Sequence, residues 1–152
     1  MALAEQCPAE VVDAAALAGV LLDEERDAAV QSFATLLVED GLLMLDVRET
    51  ESSRQRADGQ LRETRVSLQD GRQLLFASRP RWRSERIVVE ERYELSGHDE
   101  AVSVHEYVFE MRPWRVSEVE ARLETAGFRR VDVRPGPGGR WDRLFVTARR
   151  GA

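Results

Sequence analysis

The chain has 152 residues, 43% hydrophobic and 33% charged, with 28 acidic against 22 basic side chains and a net charge of −6. That length supports one domain with a real core, burying roughly 70% of the surface its unfolded chain exposes, and the apolar content is too high for a disordered chain. The acidic balance excludes phosphate-backbone binding as the main task, because that needs a basic face. No apolar run approaches the roughly 20 residues of a membrane span. Neither a nucleic-acid nor a membrane partner is therefore expected. The first residues lack a basic segment followed by an apolar one, so no secretory signal is read and a cytoplasmic protein is expected. One cysteine, Cys7, excludes an internal disulfide framework and a Cys-rich metal site, and in a loose N-terminus it is expected to be inert. Every basic residue is arginine; lysine and asparagine are absent. Schiff-base chemistry, a phosphate-loop lysine and a lysine general base are thereby excluded.

Residues 9–22 are apolar and alanine-rich, compatible with helix or strand. Asp23-Glu24-Glu25 then opens a helix, its acidic first turn matched to the helix dipole, and Ala29, Val30, Phe33, Ala34, Leu36 and Leu37 form its apolar stripe. Glu39-Asp40-Gly41 is expected to end it, with Gly41 in the left-handed cap position. Residues 42–47 are a near-continuous apolar run, expected as a strand buried on both faces of a parallel sheet. A polar stretch, 49–59, reads as a loop or short helix. Four segments of mostly alternating pattern follow at 61–68, 72–78, 83–95 and 101–111. Asp70-Gly71 is a strong hairpin signal between the first two, and residues 96–100 join the last two. The expectation is an antiparallel meander with one face largely solvated. Ser117 and Glu120 have capping-box spacing ahead of Val119, Leu123 and Ala126, and Gly127 stops that helix. Residues 128–133 read as a strand, 135–139 as a turn and 144–148 as a final strand.

The stretch from Asp23 through Phe33-Ala34 to Gly41-Leu42-Leu43-Met44-Leu45-Asp46-Val47-Arg48 resembles class I S-adenosylmethionine-dependent methyltransferases. It is similar to their helix and fifth strand, with Glu39-Asp40-Gly41 in place of the usual Pro-Gly-Gly turn. Tyr107-Val108-Phe109-Glu110-Met111-Arg112-Pro113-Trp114, the next helix, Gly127-Phe128 and Asp142-Arg143-Leu144-Phe145-Val146 continue the likeness. Its nearest flavour is the glycine/sarcosine N-methyltransferase-like branch, whose antiparallel insertion lies between the fifth strand and the following helix. The likeness covers about residues 12–149 and only that family's C-terminal half. The Gly-rich cofactor loop and the carboxylate that holds the ribose hydroxyls have no counterpart. Two sheet halves built from βαβ units of roughly 30 residues each, plus a meander, exceed the length available. The cluster Gly136-Pro137-Gly138-Gly139 lies between two strands with no helix after it, so it reads as a turn.

The resemblance implies an α/β (α+β) fold: a partial Rossmann-like sheet from 1–48 and 115–152, with an antiparallel β-meander inserted at 60–112, in a single domain. It implies the substrate-side portion of a methyltransferase for a small-molecule substrate. Such a portion would be inactive alone and completed by a homo-oligomer or a separate subunit that binds S-adenosylmethionine, a cofactor the isolated chain is not expected to hold. By resemblance, Arg48 occupies the place of an arginine that binds the substrate carboxylate; the alternative is a surface pairing with Asp46, Glu49 or Glu51. Asp46 is read as pointing to the other face, as a substrate contact or a cap on the next turn. Gly19, Val20 and Leu21 fall where the family lines the methionine end of the cofactor, although the segment also reads as plain core. Arg112 and Trp114 border a substrate pocket or anchor packing. Tyr107 joins the substrate group, sharing a meander face with His105, with Glu106 on the other. His98 lies in a turn with no second ligand nearby, so no metal site is expected. A second reading stays open: a non-catalytic α+β module that binds a small ligand or protein and dimerises through a sheet edge exposed beside 42–47.

Overall fold

The computed structural model describes residues 9–14, 17–97 and 102–152; Cys7 and His98 lie outside them. The chain forms two compact units, Met1–Ser52 with Pro113–Ala152, and Ser53–Arg112. In chain order, β1 (Ala9–Ala14), a 3-10 turn (Leu17–Gly19), α1 (Asp23–Leu36), β2 (Leu37–Arg48) and α2 (Thr50–Arg56) come first. Next are β3 (Arg62–Ser67), β4 (Gln73–Arg83), β5 (Arg86–Ser96) and β6 (Ser103–Met111). The chain closes with α3 (Val116–Thr125), β7 (Phe128–Gly136), a second 3-10 turn (Pro137–Gly139) and β8 (Arg140–Arg150). The fold is a mixed α/β structure with a four-stranded antiparallel meander inserted, as the pattern predicts. Among the described residues no helix is long and apolar enough to cross a membrane.

The first unit carries a sheet of order β1-β2-β8-β7. β1 and β2 are parallel, while β8 is antiparallel to both β2 and β7. This corrects the expected all-parallel surroundings of residues 42–47. Burial alternates along β2 as well: Leu43, Leu45 and Val47 are buried, Met44, Asp46 and Arg48 half-buried. Those three leucine and valine side chains join Leu144, Val146 and Ala148 of β8 in one core with Val30 and Ala34 of α1 and Val119 and Leu123 of α3. Asp46 and Arg48, two apart on a strand, share a face, contrary to the opposite-face expectation.

Two terminus expectations also change. Helix α1 ends at Leu36, because Leu37 is captured by pairing with Ala9. The register then shifts between Ala9 and Val11, so residues 38–41 bulge, and Asp40, at φ 61, takes the left-handed conformation expected of Gly41. Arg149 anchors that bulge by donating to Asp40 O at 3.0 Å. At α3 the N-cap is Arg115 with no side-chain cap bond, so Ser117 lies inside the helix and the capping box does not form. Gly127 ends α3 at φ 85, as read.

In the second unit the meander runs β3-β4-β5-β6. Its middle hairpin turns on Ser84-Glu85, with φ 49 and 63, the two positive values of a tight hairpin loop. Pro80 sits within β4 beyond the last residue paired to β3, and its carbonyl accepts from Gly59 N at 2.8 Å. A residue's N and C=O project to the same side of a strand, so the missing donor of Pro80 faces away from β5 and no ladder bond is lost. One face of the sheet is a lattice of ion pairs, including Arg81–Glu90 at 3.2 Å and Arg86–Glu110 at 2.7 Å. The other is apolar: Ile87 and Val89 pack with Ala57, Trp82 and Met111 in a small core. That face continues into a row of aromatic rings, with Phe76 4.9 Å and Tyr107 5.9 Å from Tyr93.

Candidate functional site

In an open α/β sheet, ligands bind outside the carboxyl ends of the parallel strands. Here those ends are the loop after β1, containing the 3-10 turn, and the Arg48–Thr50 corner after β2. Trp114 joins them. Its main-chain N donates to Arg48 O at 2.7 Å and its O accepts from Thr50 N at 3.0 Å, so residue 114 extends the sheet beside the corner. Its indole Nε1 donates to Leu17 O at 3.3 Å, 97 positions away. Glu49 N donates to Asp142 O at 3.1 Å from the other side. The Glu49 carboxylate then accepts from Glu51 N and Ser52 N at 2.8 and 2.7 Å, starting α2.

Beneath this corner lies a buried cation. Arg26 is 0% exposed, and its guanidinium stacks 3.9 Å from the centre of the Trp114 ring. Its Nε donates to Val20 O at 3.0 Å, both terminal nitrogens reach Pro113 O, and Nη1 donates to Glu118 at 2.9 Å. The same Glu118 oxygen accepts from Arg122 Nε at 3.3 Å, and Arg122 continues to Asp23 and Asp27 on α1. Burial opposes the charge of Arg122, but the hydrogen bond to Asp27 and the charges of Asp27, Glu118 and Asp23 outweigh it and raise its pKa. The result is a hydrogen-bonded clamp that fixes the loop after β1 against the start of α3. Nothing in the sequence reading singled out Arg26. The signal was there: it is four residues before Val30 and therefore continues the apolar stripe of α1.

The sequence-predicted residues divide between the units. Gly19, Val20, Leu21, Asp46, Arg48 and Trp114 belong to the first, Tyr107 and Arg112 to the second. Val20 and Trp114 are brought together by Arg26, and Trp114 holds Arg48 through the main chain. Gly19 is exposed, with no atom within 4 Å of where a Cβ would stand, so open space lies above the loop. Asp46 is taken by Arg143 in a two-pronged bond of 2.9 and 2.6 Å. That fork makes Asp46 a fixed, neutralised neighbour of Arg48. Tyr107 is 53% exposed beside Tyr93, whose hydroxyl donates to Glu91 at 2.9 Å; that bond raises the Tyr93 pKa. Among the described residues no three His, Cys, Asp or Glu side chains converge as metal ligands would.

No protein-family model and no curated protein matches the chain. Solved structures do. DesVI of Streptomyces venezuelae superimposes with a TM-score of 0.81 at 24% identity, covering 99% of this chain and 61% of that protein. The sugar N-methyltransferase KedS8 of Streptoalloteichus gives 0.80 at 20% identity, covering 98% and 59%. The S-adenosylmethionine-bound amino pentose methyltransferase CalS10 of Micromonospora echinaspora gives 0.77 at 21% identity, covering 98% and 61%. These likenesses establish a methyltransferase-type fold. The chain spans about three fifths of the length of the proteins it matches.

Proposed function

We propose that this chain is the substrate-side portion of an S-adenosylmethionine-dependent methyltransferase acting on a small molecule. The observation that supports it is the superposition of nearly the whole chain on solved structures that include methyltransferases. KedS8 is a sugar N-methyltransferase and CalS10 an amino pentose methyltransferase, which favours the amine of a sugar-like acceptor. A glycine-type acceptor, whose carboxylate Arg48 would bind bidentately, is the alternative acceptor for the same transfer.

The described residues do not by themselves fit the cofactor. The glycine cluster forms a 3-10 turn between antiparallel strands, and a Cβ on Gly136 would stand 2.7 Å from Arg143 Cβ, so that glycine serves chain packing. Around the turn after β1 the side chains are apolar, and the carbonyls of Leu17 and Val20 already accept from Trp114 and Arg26. No methyl-transfer step is therefore assigned to these residues alone. Their part is positional: the clamp holds the loop after β1, and the main chain of Trp114 holds the Arg48 corner beside it. The outer side of β1 is unpaired among the described residues, which leaves room for a further strand from a cofactor-binding portion. Calorimetric titration with S-adenosylmethionine is expected to show no binding by the chain alone, and micromolar binding would overturn this division. Saturation-transfer NMR with an amino sugar and with sarcosine tests the acceptor side. Arg48→Ala is expected to abolish the sarcosine signal if the acceptor is of the glycine type.

A further inference from the structure

Among the described residues, four strand edges close the two sheets: β1 and β7 in one, β3 and β6 in the other. An open edge is a template for another strand, and proteins guard edges with charge, proline, bulges or shortness. β7 is guarded by Pro135, by register shifts on both sides of its pairing with β8, and by Arg130 at φ 52. β3 is short, six residues, and bears Arg62, Glu63 and Arg65. β6 has none of these devices. It runs nine residues without proline, pairs with β5 without a register shift, and all but its last residue are exposed. Tyr107, Val108 and Phe109 are 53%, 71% and 39% exposed. Its two carboxylates do not guard it either. Glu110 is held by Arg86 at 2.7 Å and Glu106 lies 3.9 Å from Arg92, both on β5.

We infer that β6 pairs antiparallel with β6 of a second copy about a twofold axis at Tyr107, joining two meanders into one continuous sheet. This inference is independent of the function proposed above. Its register follows from charge. With the axis at Glu106 that carboxylate would face its own copy, and with the axis at Val108 it would face the partner's Glu110; like charges directly opposite are destabilising. At Tyr107 each Glu106 faces the partner's Val108, each Glu110 faces the partner's Val104, and His105 faces the partner's Phe109. The alternation of the strand is preserved across such an axis, so the apolar face of one meander continues into that of the other. An unrelated strand would have to match this length and alternation by chance, whereas a second copy does so by symmetry. The pair would exchange roughly eight main-chain hydrogen bonds. Its area falls at the small end of specific interfaces, so association is concentration-dependent.

The test is sedimentation velocity with light scattering over a concentration series, on the chain and two variants at Val108, the most exposed large hydrophobic residue of β6. Val108→Glu places two carboxylates opposite the Glu106 pair and is expected to raise the dimer dissociation constant about tenfold. Val108→Lys places an ammonium opposite each Glu106 and is expected to leave the dimer intact or tighter. Circular dichroism confirms that both variants fold. A strict monomer at every concentration, a dimer indifferent to both changes, or a dimer weakened equally by both would each overturn the inference.

Discussion

Replacing Arg26 by methionine isolates the clamp, because methionine keeps an unbranched apolar stem and removes only the guanidinium. Four interactions go at once: the bonds to Val20 O, Pro113 O and Glu118, and the stack on Trp114. Glu118, 19% exposed, retains Arg122, whereas Val20 O and Pro113 O lose this donor. Removing one partner of a buried ion pair costs about 3–5 kcal/mol. At roughly 2–4 °C of Tm per kcal/mol for a chain of this size, the expected loss is about 6–20 °C. Urea unfolding gives the stability change, and hydrogen exchange locates it. The amide of Val20, bonded to Leu17 O at 3.2 Å, should lose protection before the amides of β8. Arg26→Lys should fall between, since an ammonium keeps the charge but cannot present a planar fork to three acceptors while stacking on a ring. The double variant Arg26→Met with Glu118→Gln should cost less than the sum of the two single changes. An Arg26→Met protein within about 1 kcal/mol of the parent, inside the range of surface substitutions, would refute the clamp.

Gly136→Ala drives a Cβ to 2.7 Å from Arg143 Cβ and 3.1 Å from Arg143 O, so it should destabilise by about 1–3 kcal/mol in thermal unfolding. Gly19→Ala meets nothing within 4 Å and should lie within about 0.5 kcal/mol of the parent. Asp46→Asn removes the charge of a pair whose two side chains are each 29% exposed, and solvent screening limits the loss to about 1 kcal/mol. In the meander, the Gln60 amide lowers the pKa of Asp58, and the Arg72 side chain, with its amide, lowers that of Asp70. Both folded values therefore lie below the unfolded 3.8, so the stability these groups add is complete above that pH and fades as pH falls through the folded values. Carboxyl-carbon NMR titration should give midpoints below 3.8 for both, and a midpoint at or above it would contradict the turn geometry.

Elements whose burial repeats with a helix or strand period could be read from residues alone, and those decided by a distant partner could not. The meander follows from alternation and Asp70-Gly71, and α3 ends at Gly127 because only a residue without a Cβ turns left-handed there at little cost. The hairpin between the second and third meander strands is as expected, but its turn lies at Ser84-Glu85 rather than between residues 78 and 83, because neither residue type advertises a positive φ and the long antiparallel flanks impose it. The end of α1 moved because pairing of Leu37 with Ala9 outweighs the local preference for a glycine cap. At the candidate site, Arg48 could be placed at a strand end from sequence. That Trp114 ties Arg48 to Leu17 is a contact across 97 positions, which no local pattern encodes.

The arginine-only composition reads first as a bias without local meaning, and exposed arginines in single ion pairs, such as Arg62, Arg79, Arg81 and Arg129, leave it so. The first unit gives a few other arginines work that lysine could not do. Arg143 meets Asp46 with two parallel bonds, and Arg140 meets the 6%-exposed Asp142 with another two, at 3.0 and 2.6 Å. Asp142 in turn lends its carbonyl to Glu49 at the corner after β2. Arg26 and Arg122 share one Glu118 oxygen while each also binds main-chain carbonyls. A flat five-donor fork can fill several acceptors in one plane and stack on indole; a three-donor ammonium meets at best some of them and would be stripped of more hydration. The rigidity of the loop after β1 and of the Arg48 corner therefore rests on guanidinium geometry. Arginine-to-lysine exchange at positions 26, 122, 140 and 143 should loosen this corner while leaving the formal net charge at −6.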